Sequence, residues 1–393
     1  MRDFWMDDRD PSAGERAENG KPGGRTAAIL SAIAAEREAL VRRGPELERT
    51  GLLPDDLVAW MRSLRLFKLF VPEAFGGAGL TLGEAVRIYE ALSAVDGSLG
   101  WLAQIGSGGG YFVPSFRPEI ARAFFSPPEA VIAGTGHPAG RARRVPGGYV
   151  VSGRWRYASG AQYATLFTAS AVVEGSAPSE EGGGPASGGA AAGAKVSGNV
   201  VRAFAFFPEE VELERDWSAL GMVATSGWTF SVRERFVPEE RSFVVGEALW
   251  DPGLLVYRLP FLLFAEASIG AVCIGLGRGF FEAALGEDAP AEAEAREVVE
   301  RLRAEADDGR LLFFAAVAEA ERRLSAGTLD EAAARRLGGA MRRAAHAQRS
   351  AVVRALPFLG MRAIRPEGQL NRRFRDLMTA CQHVVLRPAP PAG

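Results

Sequence analysis

Near the end of the chain, "FRDLMTACQHVV" (374–385) carries His383, one of only three histidines in 393 residues. Read as a helix, the stretch puts Phe374, Leu377, Met378, Cys381 and Val385 on one apolar face. Asp376, Thr379 and His383 fall together on another face, spaced three and four residues apart. A histidine near a carboxylate can be held in one tautomer and tuned near neutral pH. That suits a base that deprotonates a phenol or a similar acceptor. Asp376 is two turns from His383, and Thr379 is the nearer neighbour. The alternative is a solvated histidine at a helix C-terminus, favoured there by the helix dipole.

A second constellation is "RWRYASG" (154–160). Gly160 lets backbone approach a planar ring closely. Trp155 or Tyr157 can cover a ring face. Ser159, after Ala158, offers a hydroxyl that donates or accepts. The same residues also fit a plain strand that ends in a turn. In "VATSGWTF", Thr225 and Ser226 place hydroxyls and turn amides where a ring edge or phosphate can be held, or make a simple turn. "GLGRGFF" echoes a dinucleotide fingerprint but follows a long apolar helix, so it supports no Rossmann site. His137 lies in a loop-like "GTGHPAG", and His346 in an arginine-studded helix. Arg372, Arg373 and Arg375 read as a solvated helix face with salt bridges between subunits.

These residues need elements to position them. Residues 27–130 read as helices: "RTAAILSAIAAEREALVRR" up to a break at Gly44-Pro45, then "PDDLVAWMRSLRLFKLF", a turn-rich "VPEAFGGAGL", and helices again. Residues 131–247 change to short Val-, Phe-, Tyr- and Thr-rich runs bounded by Gly or Pro, the texture of an antiparallel sheet. A Gly/Ala/Ser-rich insertion at 175–199 reads as a mobile hairpin loop. Residues 248–388 are helical. The expected class is therefore α+β: a helical N-terminal domain, a β-domain and a C-terminal helical bundle.

The composition narrows the function. A formal net charge of −2 disfavours nucleic-acid binding. Cys273 and Cys381, far apart in apolar stretches, read as core filling and not as a disulfide framework or metal site. No His/Cys cluster has metal-ligand spacing. Residues 1–26 read as a disordered tail without a secretory h-region. "LPFLLFAEASIGAVCIGLG" (259–277) nearly suits a membrane span, but Pro260 and Glu266 favour a helix buried in a bundle. A cytoplasmic protein, off the membrane, is expected.

Four stretches resemble the acyl-CoA dehydrogenase family in order and spacing: "LFVPEAFGGAGLTLGEAVRIYEALSAVDGSLGW", "GYVVSGRWRYASGAQYA", "LGMVATSGWTFSVRERFVPEERSF" and "QLNRRFRDLMTACQHVVL". They cover most of the chain outside the tail and insertion. Many dehydrogenases of the family carry a catalytic Glu in a Glu-Gly-Thr near the C-terminus, where this chain reads "TACQHVVLRP". Trp155, Ser159 and Gly160, then Arg375-Asp376 and Gln382-His383, resemble the two-component monooxygenase branch instead. That resemblance implies reduced FMN or FAD from a separate reductase, O2 as co-substrate, and a small aromatic or polycyclic substrate that is hydroxylated or N-oxidised through a flavin C4a-hydroperoxide. It implies Ser159 at flavin N5 and His383 as the base. Trp155, Tyr157, Ala158, Gly160, Thr225, Ser226 and Arg375 are implied around the flavin. A homotetramer packed through the C-terminal bundles is implied as well. The alternatives are a dehydrogenase with tightly bound FAD and a non-catalytic binding protein.

Overall fold

A computed structural model of the chain describes residues 23–175, 195–196, 199–286 and 289–387. Of the expected tail, residues 1–22 lie outside this set, and among the described residues Gly24 already opens a helix. Most of the 175–199 insertion also lies outside it.

Among the described residues six helices come first: α1 (Gly24–Ala35), α2 (Arg37–Thr50), α3 (Asp55–Ser63), α4 (Leu82–Val95), α5 (Gly97–Gly108) and α6 (Pro118–Phe125). The expected break at Gly44-Pro45 is not there. The chain breaks at Glu36, and α2 runs through Pro45. Gly44 instead gives room to Arg372, whose guanidinium would lie 2.2 Å from an added Cβ. Local sequence fixes the next starts clearly. Thr81 and Glu84 close a capping box on α4, and Asp96 accepts from the Ser98 and Leu99 amides to start α5.

Eight strands follow: β1 (Ile132–Val145), β2 (Gly148–Ala158), β3 (Leu166–Val173), β4 (Lys195–Val196), β5 (Asn199–Phe206), β6 (Glu212–Glu214), β7 (Trp228–Pro238) and β8 (Ser242–Phe243). Their order is β4-β5-β3-β1-β2-β7-β6, with β8 on β5. The sheet is mixed and not purely antiparallel, because β3 pairs parallel with β1. The β1–β2 hairpin takes one side of β1, so β3 must return in the same direction on the other. One face buries Tyr149, Trp155, Phe167, Phe204, Phe206 and Phe230 in a core of its own.

The chain ends in α7 (Phe261–Leu285), α8 (Ala293–Ser325), α9 (Glu331–Leu359) and α10 (Gln369–Ala380). Among the described residues α7 is the one helix long and apolar enough to cross a membrane, and it is buried on nearly all sides. Glu266 within it is ion-paired to Arg342 of α9. Its glycines set helix spacing: an added Cβ at Gly275 or Gly279 would sit 2.3 or 2.5 Å from the Glu90 or Ala94 carbonyl oxygen of α4. The "GLGRGFF" echo is thus a packing stripe. One hydrophobic core joins α7 to the N-terminal helices and to α10.

Candidate active site

Three units meet at one indole. Trp101, on the second turn of α5, donates from Nε1 to Ser159 Oγ at 3.0 Å. Its ring meets His383 edge-on, with centroids 5.8 Å apart. The N-terminal helices, the sheet and the C-terminal segment therefore each contribute one residue. Ser159 is only 7% exposed. Because an indole N–H can only donate, it fills a lone pair of Ser159 and leaves the Ser159 hydroxyl hydrogen free to donate elsewhere.

The end of β2 is shaped for a flat ligand. Gly160 has φ +84°, and a Cβ there would meet nothing closer than Leu102 at 3.6 Å. Its amide donates to the Thr225 carbonyl at 2.8 Å. Thr225 Oγ1 donates to the Met222 carbonyl at 2.9 Å. Met222 in turn donates its amide to Asp376 Oδ1 at 2.5 Å. A line of hydrogen bonds thus runs from α10 through the 222–226 turn to the backbone beside Ser159. Ser226 is buried in the left-handed region (φ 47°) and donates to Gln162 at 3.3 Å. Ala158 is buried, whereas Tyr157 is 62% exposed with its edge toward Trp217.

His383 is not on the closing helix. α10 ends at Ala380, and His383 caps a short 3-10 turn over Val384–Leu386. The shared face with Asp376 and Thr379 is therefore absent. Asp376 turns to Met222, and Thr379 donates to the Arg375 carbonyl. The Val385 amide donates to His383 Nδ1 at 3.3 Å. A nitrogen that accepts carries no proton, so the neutral ring holds its hydrogen on Nε2. His346 secures the segment by a 2.6 Å bond between Nε2 and the Leu386 carbonyl. Burial pushes the His383 pKa down to about 4, and no carboxylate offsets it.

Two implied cofactor contacts lie elsewhere. Trp155 is completely buried, stacked on Phe230, with Nε1 donating to the Ser170 carbonyl at 2.9 Å. It fills the sheet core over Gly140 and Gly153 and has no open face to offer a ring. Arg375 is spent on Asn371, the Leu220 carbonyl and Glu48, at 2.8, 3.0 and 2.7 Å. Arg372 and Arg373 are buried, so the arginine run is not a solvated face. It sits beneath α4 and α5, where Arg373 donates to the Ala94 carbonyl. Burial pushes Arg373 down to about 10, against the pull of Asp96. Asp376 is pushed up to about 7 by burial and then by Asp96.

Sequence reasoning missed Trp101; the Asp96 cap that sets its register is a local signal that could have found it. The Ser107 hydroxyl is committed to Tyr89 and to the Ala103 carbonyl. Gln104 is buried, and its Oε1 has no partner among the described residues. His137 is exposed on β1.

Residues 31–116 match the acyl-CoA dehydrogenase N-terminal domain, and residues 269–388 an acyl-CoA dehydrogenase C-terminal domain. An indole-3-acetate monooxygenase from Pseudomonas putida is 26% identical over 87% of this chain and 86% of its own. The oxygenase component of an FADH2-dependent resorcinol hydroxylase from Rhizobium is 26% identical over 66% of this chain, a match that spans 60% of the relative's length. Among solved structures, XiaF from Streptomyces, in complex with FADH2 and glycerol, superposes with a TM-score of 0.79 at 20% identity, over 95% of this chain and 94% of that one. The two domain models together cover just over half of the residues and flank the sheet on either side; the chain belongs to the acyl-CoA dehydrogenase family.

Proposed function

We propose that the chain is the oxygenase of a two-component flavin monooxygenase, a cytoplasmic homotetramer. It takes reduced FMN or FAD from a separate reductase and O2, and hydroxylates or N-oxidises a small aromatic or polycyclic molecule. The observation that carries this reading is the Ser159–Trp101–His383 cluster, which holds a neutral imidazole near the stretch where, by the family resemblance, many dehydrogenases carry a catalytic Glu. The nearest carboxylate in sequence, Asp376, is turned away into the Met222 turn. The names of the relatives, monooxygenases and hydroxylases, support the same reading.

The residues fit a flavin. Ser159 has a free hydroxyl hydrogen for a ring nitrogen, Gly160 leaves room for a ring, and the 225–226 turn borders it. Bound reduced flavin would supply the electrons that activate O2. Trp101 fixes the Ser159 rotamer, so donation costs no reorganisation. Gln104, one turn beyond Trp101, supplies a buried carbonyl oxygen suited to a substrate hydroxyl or N–H.

The tautomer refines the role of His383. With Nδ1 held by Val385, the ring presents Nε2–H and acts on substrate oxygen as a donor; acting as a base through Nε2 would cost the Val385 bond. His383→Gln keeps a donor and His383→Ala does not. Coupled hydroxylation of a phenolic substrate falls on the order of a hundredfold in the alanine variant and recovers most of that loss in the glutamine variant. Equal loss in both sinks the donor role. Protein that purifies yellow and is bleached anaerobically by an acyl-CoA would overturn the monooxygenase reading in favour of a dehydrogenase, and absence of flavin binding in either redox state would overturn it in favour of a binding protein.

A further inference from the structure

The chain has two cysteines, and the fold brings them together. Cys273 lies in the middle of α7, and Cys381 is the C-cap residue that follows α10. Their Sγ atoms are 3.8 Å apart and share a thiol–thiol hydrogen bond. A disulfide needs about 2.05 Å, so the sulfurs must close by roughly 2 Å. The two sides differ in freedom. Cys273 is fully buried within a 25-residue helix, while Cys381 keeps 5% exposure. Cys381 is followed at once by the turn that carries His383. The Cys381 side is therefore the side that moves.

We propose that Cys273 and Cys381 form a peroxide-modifiable dithiol, and that its closure to an intrachain disulfide draws the His383 turn away from Trp101. The sulfur of Cys381 attacks one peroxide oxygen. The O–O bond breaks, the thiol proton leaves with the departing oxygen as water, and Cys381 becomes a sulfenic acid. The sulfur of Cys273 then attacks Cys381 Sγ, the S–O bond breaks, and the Cys273 proton leaves with the hydroxyl as a second water. Two thiols lose two electrons, and one hydrogen peroxide becomes two waters. The order follows from exposure: Cys273 is fully enclosed and Cys381 keeps a path to solvent, and the pair lowers Cys381, through its hydrogen bond with Cys273 and then Arg349, while it raises Cys273, so Cys381 attacks first.

The source of peroxide rests on the proposed monooxygenase reading. An oxygenase without substrate passes two electrons to O2 and releases hydrogen peroxide beside the segment that holds the pair. A cross-link there makes unproductive turnover self-limiting and reversible by a thiol reductant.

The test uses the full chain, reduced with dithiothreitol and desalted. Added hydrogen peroxide is expected to lower the free thiols of the denatured protein from two per chain to none. Peptide mass analysis should join the Cys273 and Cys381 peptides with loss of two hydrogens, reversed by dithiothreitol. In Cys273→Ala, dimedone should label Cys381. The ring resonances of His383 should shift on oxidation while those of exposed His137 stay. Two persisting thiols, or oxygen gained on either cysteine without a cross-link, overturn the dithiol; a cross-link that leaves His383 unmoved overturns its displacement. A second arm supplies reduced FMN and air without substrate, with and without catalase. Cross-linking that catalase abolishes is the expected result. A positive peroxide arm with a negative flavin arm overturns the local source and counts against the monooxygenase reading, leaving the thiol pair intact.

Discussion

The Ser159 hydroxyl is spoken for on one side only, and that asymmetry is testable. Ser159→Ala removes the free donor and also leaves the buried Trp101 N–H without an acceptor, at a cost of about 1–3 kcal/mol. Reduced-flavin affinity, read by quenching titration, should weaken, and the double variant with Trp101→Phe should recover much of the lost stability but not the affinity. His383 carries a second prediction. The folded chain holds it near 4, below the ordinary 6.5, so the unfolded chain takes a proton first and stability is lost as pH falls through that window. Its ring signals should stay those of a neutral imidazole at pH 5.5; a midpoint near 6.5 would falsify the buried, unpaired placement. Ser159 and His383 were selected by the family resemblance, since residue type and local pattern alone also fit a plain turn and a solvated histidine. It gave Trp155 and Arg375 the wrong surroundings. A tryptophan in a strand is equally suited to either face, and an arginine in a helix run gives no sign of the carbonyls that will meet it.

At the scale of elements, α10 acts through the Asp376 carboxylate on the turn that backs the Ser159–Gly160 corner. Burial and Asp96 raise Asp376 from 3.8 to about 7, so the folded state binds this proton more tightly than the unfolded one. Stability therefore falls as pH rises between roughly 4 and 7 on account of this group. Asp376→Asn, which keeps an acceptor for Met222, should flatten that slope in urea melts at several pH values; an unchanged slope would mean the carboxylate is ionised throughout. The caps at Thr81, Glu84 and Asp96 are local signals, of the kind a sequence makes legible. The end of α10 was not legible. An apolar periodicity continues through Cys381 and Val385, but the tertiary bond from His346 to Leu386, with the local Val385–His383 bond, holds the chain in a turn before the period runs out. The parallel β1–β3 pair was hidden for a similar reason, since strand texture carries no direction.

The order of the three units was legible in the sequence because periodicity changes twice along it. What the sequence does not show is which outer faces stay bare. Leu311 and Leu312 on α8, Val353 and Phe358 on α9, and Met361 and Ile364 just beyond stand exposed. They support the proposed homotetramer, and the pair Leu312→Lys with Met361→Lys should lower the mass found by light scattering without loss of helix content. An unchanged mass would remove this face from the assembly. Trp101 has one more consequence. Its indole is buried and takes Ser159 and His383 from the other two units as partners, so its emission is an optical gauge of docking, whereas far-ultraviolet dichroism gauges secondary structure alone. Subtracting the spectrum of Trp101→Phe isolates that signal from the other six tryptophans. A denaturant curve in which it departs before the dichroism would reveal a state with every helix formed and the three units already parted.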